Sequence, residues 1–137
     1  MVKVVNALII KYRKLVVVRK EVDGKSSWIF PGGKPEIDED DLSCIRREIY
    51  EELPRLTLEG RFELHGHFTG TFPNNTSPLD VYPYRFFGQS NYNLSVSTLP
   101  SERIKEARME DYAGLSKLAL SEVARKVVQS LKDLGEL

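Results

Sequence analysis

Two short apolar segments open the chain and predict a pair of strands. Val2–Ile10 is apolar and β-branched apart from three positions, and Lys14–Glu21 contains four consecutive apolar residues. Tyr12–Arg13 falls between these segments, so the pattern predicts a β-hairpin with its turn at that pair.

The next segment is polar before it becomes apolar again. Val22–Ser27, which includes Asp23–Gly24, is predicted to be a loop. Trp28–Phe30 is predicted to be a short strand that stops at Pro31.

The hydrophobic pattern then changes to helical spacing over Asp40–Leu53. The apolar stripe consists of Leu42, Ile45, Ile49 and Leu53. Asp40 is placed to cap the N-terminus of this helix. Pro54 is expected to end the helix, because proline cannot continue its hydrogen-bond ladder.

Aromatic-rich segments predict further strands in the second half of the chain. Arg61–Phe72 and Val81–Gln89 are predicted to be strands, with a loop at Pro73–Pro78 between them. Ser90–Ser97 fits a turn or a weak strand, and Ile104–Met109 fits a last strand or a loop.

The C-terminal segment Leu115–Leu134 is predicted to be an amphipathic helix. Its apolar residues at helical spacing are Leu118, Val123, Val127, Leu131 and Leu134. The order of strands, helix, strands and helix predicts an α/β (α+β) fold in which helices pack on a mixed sheet. No internal repeat or long linker divides residues 1–137, so a single domain is expected.

Composition narrows the classes of function. The 137 residues are 41% hydrophobic, as in an ordinary globular domain. Lys+Arg and Asp+Glu both number 20, which gives a formal net charge of +0. Sequence-independent binding to a nucleic-acid polymer depends on a basic excess, so we expect a small-molecule ligand instead.

The single cysteine, Cys44, excludes a disulfide within the chain and favours a reducing compartment. The N-terminal apolar run is too short for a signal peptide. The longest apolar runs have the length of strands, not of membrane-spanning helices. A cytoplasmic protein with no membrane partner is therefore expected.

Three glutamates share one face of the predicted helix. Glu51 and Glu52 follow Glu48 by three and four residues, and this face lies a quarter-turn or more from the apolar stripe. Carboxylates at this spacing repel each other, and a hard cation such as Mg²⁺ or Mn²⁺ would offset the repulsion. The same pattern also fits an acidic helix face that is merely solvated.

The residues around this helix resemble the signature of the Nudix hydrolases. That signature reads Gly, five residues, Glu, seven residues, Arg-Glu, an apolar residue, any residue, Glu-Glu, any residue, Gly and an apolar residue. The positions that match in register are Gly33, Glu39, Arg47, Glu48, Ile49, Glu51 and Glu52. The approach Trp28–Lys34 is also similar to that of the family. The resemblance covers roughly 2–135, but its specific part is confined to 28–53.

Two positions depart from the signature. Pro54 stands where the family has glycine, and Arg55 stands where it has an apolar residue. Because proline cannot adopt the positive φ that glycine allows, the turn after the helix must take another shape. Leu56 could supply the apolar contact one residue late.

The resemblance implies a fold and an activity. The fold is an α/β/α sandwich around a mixed sheet, with the signature forming a loop–helix–loop. The activity is hydrolysis of the diphosphate linkage in a nucleoside diphosphate-linked compound, with Mg²⁺ or alternatively Mn²⁺. Relatives are often dimers, so a homodimer is a further expectation.

The resemblance also implies roles for particular residues. The catalytic candidates are Glu51, Glu48, Glu52 and Arg47, and the metal-binding candidates are Glu48, Glu51, Glu52, Glu39 and Gly33. The substrate-binding candidates are Lys34, Phe30, Trp28 and Glu106. Arg47 would orient the carboxylates or form only a surface ion pair, and Glu39 would contact the metal through water or brace the loop. Lys34 would reach a phosphate or stay solvated.

Several assignments stay open. Glu51 is the first choice of general base, with Glu102 and Glu106 as alternatives. His65 and His67 would share one strand face and, with a carboxylate, could bind zinc, although pocket or core histidines are the commoner case. Cys44 is expected to fill a small space. The aromatic residues that could stack on a base or belong to the core are Trp28, Phe68, Phe72, Tyr82 and Tyr84.

Three function classes follow from these alternatives. The first is a pyrophosphohydrolase, favoured by the intact Glu48, Glu51 and Glu52. The second is a Nudix-like domain that binds nucleotides without turnover, which Pro54 and Arg55 would support. The third is an α/β domain with an acidic helix and an interaction role.

Overall fold

Two β-sheets and a few helices make up residues 1–71 and 77–137, the part of the chain that the computed structural model describes. The strands there are β1 (Val2–Leu8), β2 (Ile10–Lys11), β3 (Lys14–Val22), β4 (Lys25–Ile29), β5 (Gly32–Gly33), β6 (Glu59–Leu64), β7 (Phe68–Gly70), β8 (Leu79–Gln89) and β9 (Ile104–Glu110). The helices there are α1 (Asp41–Glu52), α2 (Tyr112–Leu115) and α3 (Glu122–Asp133). Phe72, assigned from the sequence to a strand, and 73–76 of the predicted loop lie outside the described residues.

One sheet is mixed and the other is antiparallel. In the mixed sheet the strand order is β5-β1-β8-β6, and β7 also pairs with β8. β1 and β8 run parallel, and the other pairs of this sheet are antiparallel. In the second sheet β3 pairs with β2, β4 and β9, always antiparallel. Helix α1 packs on β5 and β1, and α3 packs on β7, so the predicted α+β fold with a mixed sheet is confirmed.

Two tight hairpins shape the antiparallel sheet. Tyr12 and Arg13 both have positive φ, of 53° and 61°, so the predicted turn between β2 and β3 is confirmed. Asp23 and Gly24 also have positive φ, of 52° and 76°, and connect β3 directly to β4. Two consecutive residues of this kind form the turn that matches the twist of paired strands. The prediction of a loop over Val22–Ser27 is therefore wrong, because only Asp23–Gly24 lies outside the strands.

Helix α1 begins and ends as predicted. Asp40 Oδ1 accepts a hydrogen bond from Ser43 N at 2.8 Å, which caps the N-terminus. The helix stops at Glu52, ahead of Pro54, and Leu56 N then donates to Leu53 O at 3.0 Å. Leu56 packs against the core, so the apolar contact arrives one residue late, as expected.

The buried face of α1 differs from the predicted stripe. Leu42 is 41% exposed, whereas Cys44 and Glu52 are buried beside Ile45 and Ile49. The stripe is therefore rotated toward Glu52. The prediction failed at Leu42 because a spacing pattern cannot tell which apolar residue at the edge of a helix face meets the sheet.

The second half contains more elements than the pattern predicted. The strand predicted over Arg61–Phe72 is interrupted, since His65–His67 separate β6 from β7. The helix predicted over Leu115–Leu134 is also divided, because Ser121 caps a new helix by accepting from Ala124 N at 3.1 Å. Ser90–Ser97 forms no strand, and Ile104–Met109 lies in one.

The core lies mainly on the strands of both sheets. Its largest fully buried side chains include Phe30, Leu8, Ile9, Leu15, Ile45, Leu53, Leu115 and Leu131. None of the helices in 1–71 and 77–137 is both long and apolar enough to cross a membrane.

Candidate active site

A cavity of about 610 Å³ opens between the two sheets and the N-terminal loop of α1. Side chains alternate between the two faces of a strand, so only every second residue reaches this cavity. The lining residues from three strands are accordingly Val4 and Asn6 of β1, Lys20 and Val22 of β3, and Lys25, Ser27 and Ile29 of β4. Phe30 and Lys34, two of the predicted substrate-binding residues, line it as well.

One end of the cavity is acidic. Glu48, Glu51 and Glu52 of α1 line it together with Gly32 and Gly33 of β5. Strand β5 pairs with β1 through Val5 and Asn6. This pairing fixes the glycine loop between the sheet and the helix, so that the loop faces the glutamates.

Gly33 leaves room for the Glu48 carboxyl group. A Cβ atom at this position would lie 2.5 Å from both Cδ and Oε1 of Glu48. The carbonyl oxygen of Gly33 contacts Cys44 Sγ at 3.8 Å. A glycine is therefore required here for the close approach of the carboxyl group.

Glu52 is a buried acid. It is 3% exposed, and its Oε1 accepts a hydrogen bond from Gly32 N at 2.9 Å. Burial raises the pKa of Glu52 well above its usual value, and the nearby charge of Glu48 adds to that effect. Burial also raises the pKa of Glu48, although Arg47 opposes it. The positive charge of Lys20 partly offsets the rise in the pKa of both acids.

Arg47 connects the glutamates. Its guanidinium forms a bidentate pair with Glu39, with donor–acceptor distances of 2.8 and 2.9 Å. Its Nη1 donates to Glu48 Oε1 at 3.0 Å and contacts Glu51 Oε2 at 3.4 Å. Its Nη2 also reaches the backbone oxygen of Lys34 at 3.2 Å. Arg47 therefore links the glycine loop to the acidic face of the helix.

Glu39 is held within the loop. Besides the pair with Arg47, its Oε1 accepts from Glu36 N at 3.0 Å. These hydrogen bonds, that from Arg47 above all, lower the pKa of Glu39 to about 2. Of the two roles considered for Glu39, this geometry favours bracing the loop.

The donor set suits a hard divalent cation. Carboxylate oxygens and a glycine carbonyl are the ligands that Mg²⁺ and Mn²⁺ prefer, and a cation would relieve the repulsion between Glu48 and Glu52. Across the described ranges, no three His, Cys, Asp or Glu side chains are already grouped around one point. The three glutamate side chains therefore do not converge fully on one point. Arg47 holds Glu48 and Glu51, while Glu52 accepts a hydrogen bond from Gly32 N.

Two predicted substrate contacts lie on the opposite face of the antiparallel sheet. Trp28 and Glu106 are both paired with Arg19, in β4 and β9 respectively, and neither lines the cavity. Trp28 is 6% exposed, with the Arg108 guanidinium 5.0 Å from its ring. Glu106 accepts from Arg108 Nε at 2.6 Å and from Arg19 Nε at 3.4 Å. Both assignments are corrected, because the strand register turns these side chains away.

The two histidines and the other described aromatic candidates also lie outside the cavity lining. His65 Nε2 bonds Ser130 Oγ at 2.8 Å, whereas His67 Nε2 bonds Asp80 Oδ1 at 2.8 Å. These separate partners do not form a zinc site. Three other aromatic residues that could have stacked on a base have partners elsewhere. Phe68 stacks on His65 and Tyr82 stacks on His67. The Tyr84 hydroxyl donates a hydrogen bond to Asp41 of α1. Phe72 lies outside the described residues.

Cys44 is buried against the loop, as expected of a residue that fills a small space. It is 0% exposed, and burial raises the pKa of its thiol to about 12.

Sequence reasoning missed the far side of the cavity. Asn6, Lys20, Ser27 and Arg103 line it, and so does Glu102, one of the alternative general bases. The alternation of β3 and β4 could have placed Lys20 and Ser27 on one face, had the strand over 25–29 been recognised. Nothing local in the sequence marks Arg103, since its position depends on the long connection from β8 to β9.

The comparison with known families decides the identity. The family model of the NUDIX domain matches residues 2–131, which is nearly the whole chain. The chain belongs to the Nudix hydrolase family. Its Nudix signature therefore occupies the loop and helix that line the acidic end of the cavity. No curated protein matches the chain.

Solved structures share this Nudix fold. The MutT NUDIX hydrolase of Burkholderia pseudomallei is 22% identical, with a TM-score of 0.73, over 93% of this chain and 95% of that chain. The ORF135 protein of E. coli is 17% identical, with a TM-score of 0.75, over 98% of this chain and 91% of that one. A bifunctional NMN adenylyltransferase/ADP ribose pyrophosphatase of Francisella tularensis, complexed with AMP and a Mn ion, is 18% identical with a TM-score of 0.71. That match covers 97% of this chain and 41% of the other.

Proposed function

We propose that this Nudix hydrolase uses Mg²⁺, or Mn²⁺ in its place, to cleave the diphosphate linkage of a nucleoside diphosphate-linked compound. The observation that carries the proposal is the composition of one cavity. One end is formed by the buried Glu52, the half-buried Glu48 and a glycine loop, and apolar residues of the two sheets, among them Val4 and Ile29, also line the cavity. A molecule with a charged diphosphate and a flat, less polar nucleoside has the same two-part character.

The acidic end would hold the cation. Glu48, Glu51 and Glu52 are the proposed ligands, with the Gly33 carbonyl as a further oxygen donor, while Glu39 and Arg47 hold the loop and helix in register. A bound Mg²⁺ would neutralise phosphate charge and polarise the phosphoryl oxygen. The Mn ion and AMP named with the Francisella tularensis structure support a divalent metal and a nucleotide at a fold of this kind.

The charged residues of the cavity lining include three basic side chains that suit phosphate. Lys20, Lys34 and Arg103 line the cavity, and their positive charges favour the phosphate groups of the substrate. Water attacks one phosphorus atom, the P–O bond of the anhydride breaks, and a nucleoside monophosphate leaves. Glu51, whose side chain is 48% exposed, is the proposed acceptor of the proton that the water loses.

A turnover assay tests the proposal. The protein is incubated with Mg²⁺ and a panel of nucleoside triphosphates, dinucleoside polyphosphates and nucleotide sugars, and released phosphate or monophosphate is measured. We expect turnover of at least one class and a loss of about 100-fold or more in kcat/KM in Glu52→Gln, the scale of removing one preorganised group that stabilises the transition state. Glu59→Gln is the matched control, because Glu59 is an exposed residue of β6 outside the cavity.

The competing function is nucleotide binding without turnover. The observation that favours it is the guanidinium of Arg47, which already neutralises part of the acidic face. Binding of nucleotides that is independent of Mg²⁺, with no product from any compound, would support this alternative. If no nucleotide or metal changes the thermal melting temperature, both functions are wrong.

A further inference from the structure

Two buried polar atoms in the cavity wall have no hydrogen-bond partner among the described residues. Three such side-chain atoms occur in the described parts of the chain, namely Asn6 Oδ1, Ser27 Oγ and Arg85 Nε. The first two belong to residues that line the cavity, and those residues are 1% and 7% exposed. An unpaired buried polar atom is unfavourable, so two in one cavity call for an explanation.

The orientation of the Asn6 amide is fixed by its neighbours. Asn6 Nδ2 donates to Phe30 O at 3.1 Å and lies 3.5 Å from Pro31 O. Both neighbours are carbonyl oxygens that can only accept, so exchanging the two amide atoms would bring oxygens together. Oδ1 is therefore the free end of the amide, and its partner must be a hydrogen-bond donor.

Ser27 presents its hydroxyl from the opposite sheet. Lys25, Ser27 and Ile29 line the cavity, whereas the intervening Ser26 and Trp28 do not. The hydroxyl can donate one hydrogen bond and accept two. Asn6 on the mixed sheet and Ser27 on the antiparallel sheet thus bring polar groups to the cavity from two walls.

Apolar side chains also line the cavity beside these two residues. Val4, Val22, Ile29, Phe30 and Leu79 line the cavity, on the strands that carry the two polar residues or next to them. A slot with apolar walls and a few fixed polar atoms is the usual form of a site for a flat heterocycle. The charged groups that suit phosphate are close by, because Lys20 pairs with Ser27 and Asn6 pairs with Gly32, whose N–H binds Glu52.

We infer that Asn6 and Ser27 select the nucleobase of the substrate, with Asn6 Oδ1 accepting a hydrogen bond from an amino group on the base. This inference rests on the proposed function and adds the part of the substrate that is recognised. The Ser27 hydroxyl pairs with a neighbouring ring nitrogen or carbonyl of the same base. Because both atoms are buried, the base enters by parting the side chains that now cover them.

Binding of matched nucleotides tests the inference without any turnover. Dissociation constants are measured by calorimetry, in Mg²⁺, for three pairs that differ only by one amino group. The pairs are AMP and purine riboside monophosphate, GMP and IMP, and CMP and 2-pyrimidinone riboside monophosphate. Ribose 5-phosphate serves as the probe that has a phosphate but no base.

We expect the wild-type protein to favour the amino member of one pair by about 10-fold, the scale of one neutral hydrogen bond. Asn6→Leu should remove that preference. Ser27→Ala should lower the affinity for the favoured nucleotide by about 10-fold without changing the affinity for ribose 5-phosphate. Ser26→Ala is the matched control, since Ser26 is exposed on the other face of β4 and contacts Arg19. Ser27→Ala decides the question if Asn6→Leu does not fold, because no hydrogen bond within the described protein depends on Ser27 Oγ.

The failures can be told apart. The role of Asn6 and Ser27 is overturned if the protein binds both members of every pair equally, or if neither variant changes the dissociation constants. In that case the proposed function still stands, provided that the turnover assay detects product. If no nucleotide is bound and none is turned over, the proposed function is wrong and this inference falls with it.

Discussion

Arg47 donates hydrogen bonds to one carboxylate in the loop and to another on the helix. It makes the bidentate pair with Glu39 and a further hydrogen bond to Glu48. An isolated surface ion pair contributes little, but a planar fork between two acids fixes their relative position. Arg47 is therefore a positioning residue, whose effect on the reaction passes through Glu39 and Glu48.

We predict that Arg47→Lys lowers kcat/KM by about 10- to 100-fold, the usual scale for a partner that orients metal ligands. Lysine keeps the charge but cannot bind Glu39 in a bidentate manner. The neighbouring Arg46→Lys is the control, because within the described residues Arg46 contacts Gly60 O at 3.4 Å and the Phe62 ring, and not the glutamates. The Mg²⁺ concentration for half-maximal activity should rise in Arg47→Lys alone, and equal values in both variants would contradict the positioning role.

Gly33 permits a second prediction at this scale. In Gly33→Ala the new Cβ would occupy the place of the Glu48 carboxyl group, and that flexible side chain can move aside at little cost in folding. We therefore expect a loss of about 100-fold in kcat, typical of a displacement of about 1 Å at a reactive centre, with a nearly unchanged melting temperature. Gly135→Ala is the contrasting variant. Its Cβ meets nothing within 4 Å, but its φ of +77° is strained for alanine, so it should reduce stability and spare activity.

At the scale of elements, α1 depends on its N-terminal cap. Asp40→Ala removes the acceptor of Ser43 N, and we expect the free energy of unfolding to fall by about 1 kcal/mol. Asp40→Asn keeps a side-chain oxygen at this position and should retain most of that stability. Urea unfolding followed by circular dichroism measures both, and equal losses in the two variants would show that the cap contributes little.

Local patterns predicted those features that depend on neighbouring residues in the chain. The cap at Asp40, the end of α1 before Pro54 and the turn at Tyr12–Arg13 follow from short-range sterics and hydrogen bonding. The Nudix signature brought Glu48, Glu51, Glu52 and Gly33 to one end of the cavity as a group. These parts of the fold and site were accessible from the sequence because they need no knowledge of distant partners.

Features that depend on pairing between distant strands were not accessible in this way. Trp28 and Glu106 fit a substrate site by residue type, but both face away from the cavity through their pairing with Arg19. The break at His65–His67 and the new cap at Ser121 likewise depend on contacts with other elements, including His65 with Ser130. Periodicity gives the alternation of a strand but not which face meets the cavity.

For the whole molecule, the acidic end of the cavity opposes folding at neutral pH. Burial raises the pKa of Glu52 in the folded state above its value in the unfolded chain. Such a group contributes stability below its unfolded pKa, and that stability is lost as the pH rises toward the folded pKa. Each pH unit across this window costs about 1.4 kcal/mol.

We therefore predict that Glu52→Gln, which imitates the neutral acid, is more stable than the wild-type protein at pH 7 to 8 in the presence of EDTA. The difference should shrink as the pH falls toward 4.5, the ordinary pKa of a glutamate. Saturating Mg²⁺ should stabilise the wild-type protein more than the variant. Urea unfolding across this pH range, with and without Mg²⁺, provides the measurement, and a variant less stable than wild type throughout would contradict it.

The alternation along β3 and β4 makes the protein far more sensitive to a change in length than to a change in residue type. Deleting one residue within Lys25–Ile29 would exchange the inner and outer sides of that strand, sending Ser27 outward and bringing Trp28 inward. Natural variation in these strands should therefore consist of substitutions, with gain or loss of residues confined to places such as Asp23–Gly24. A library that varied only the outward residues Arg19, Glu21 and Ser26 could alter the surface while leaving the cavity walls unchanged.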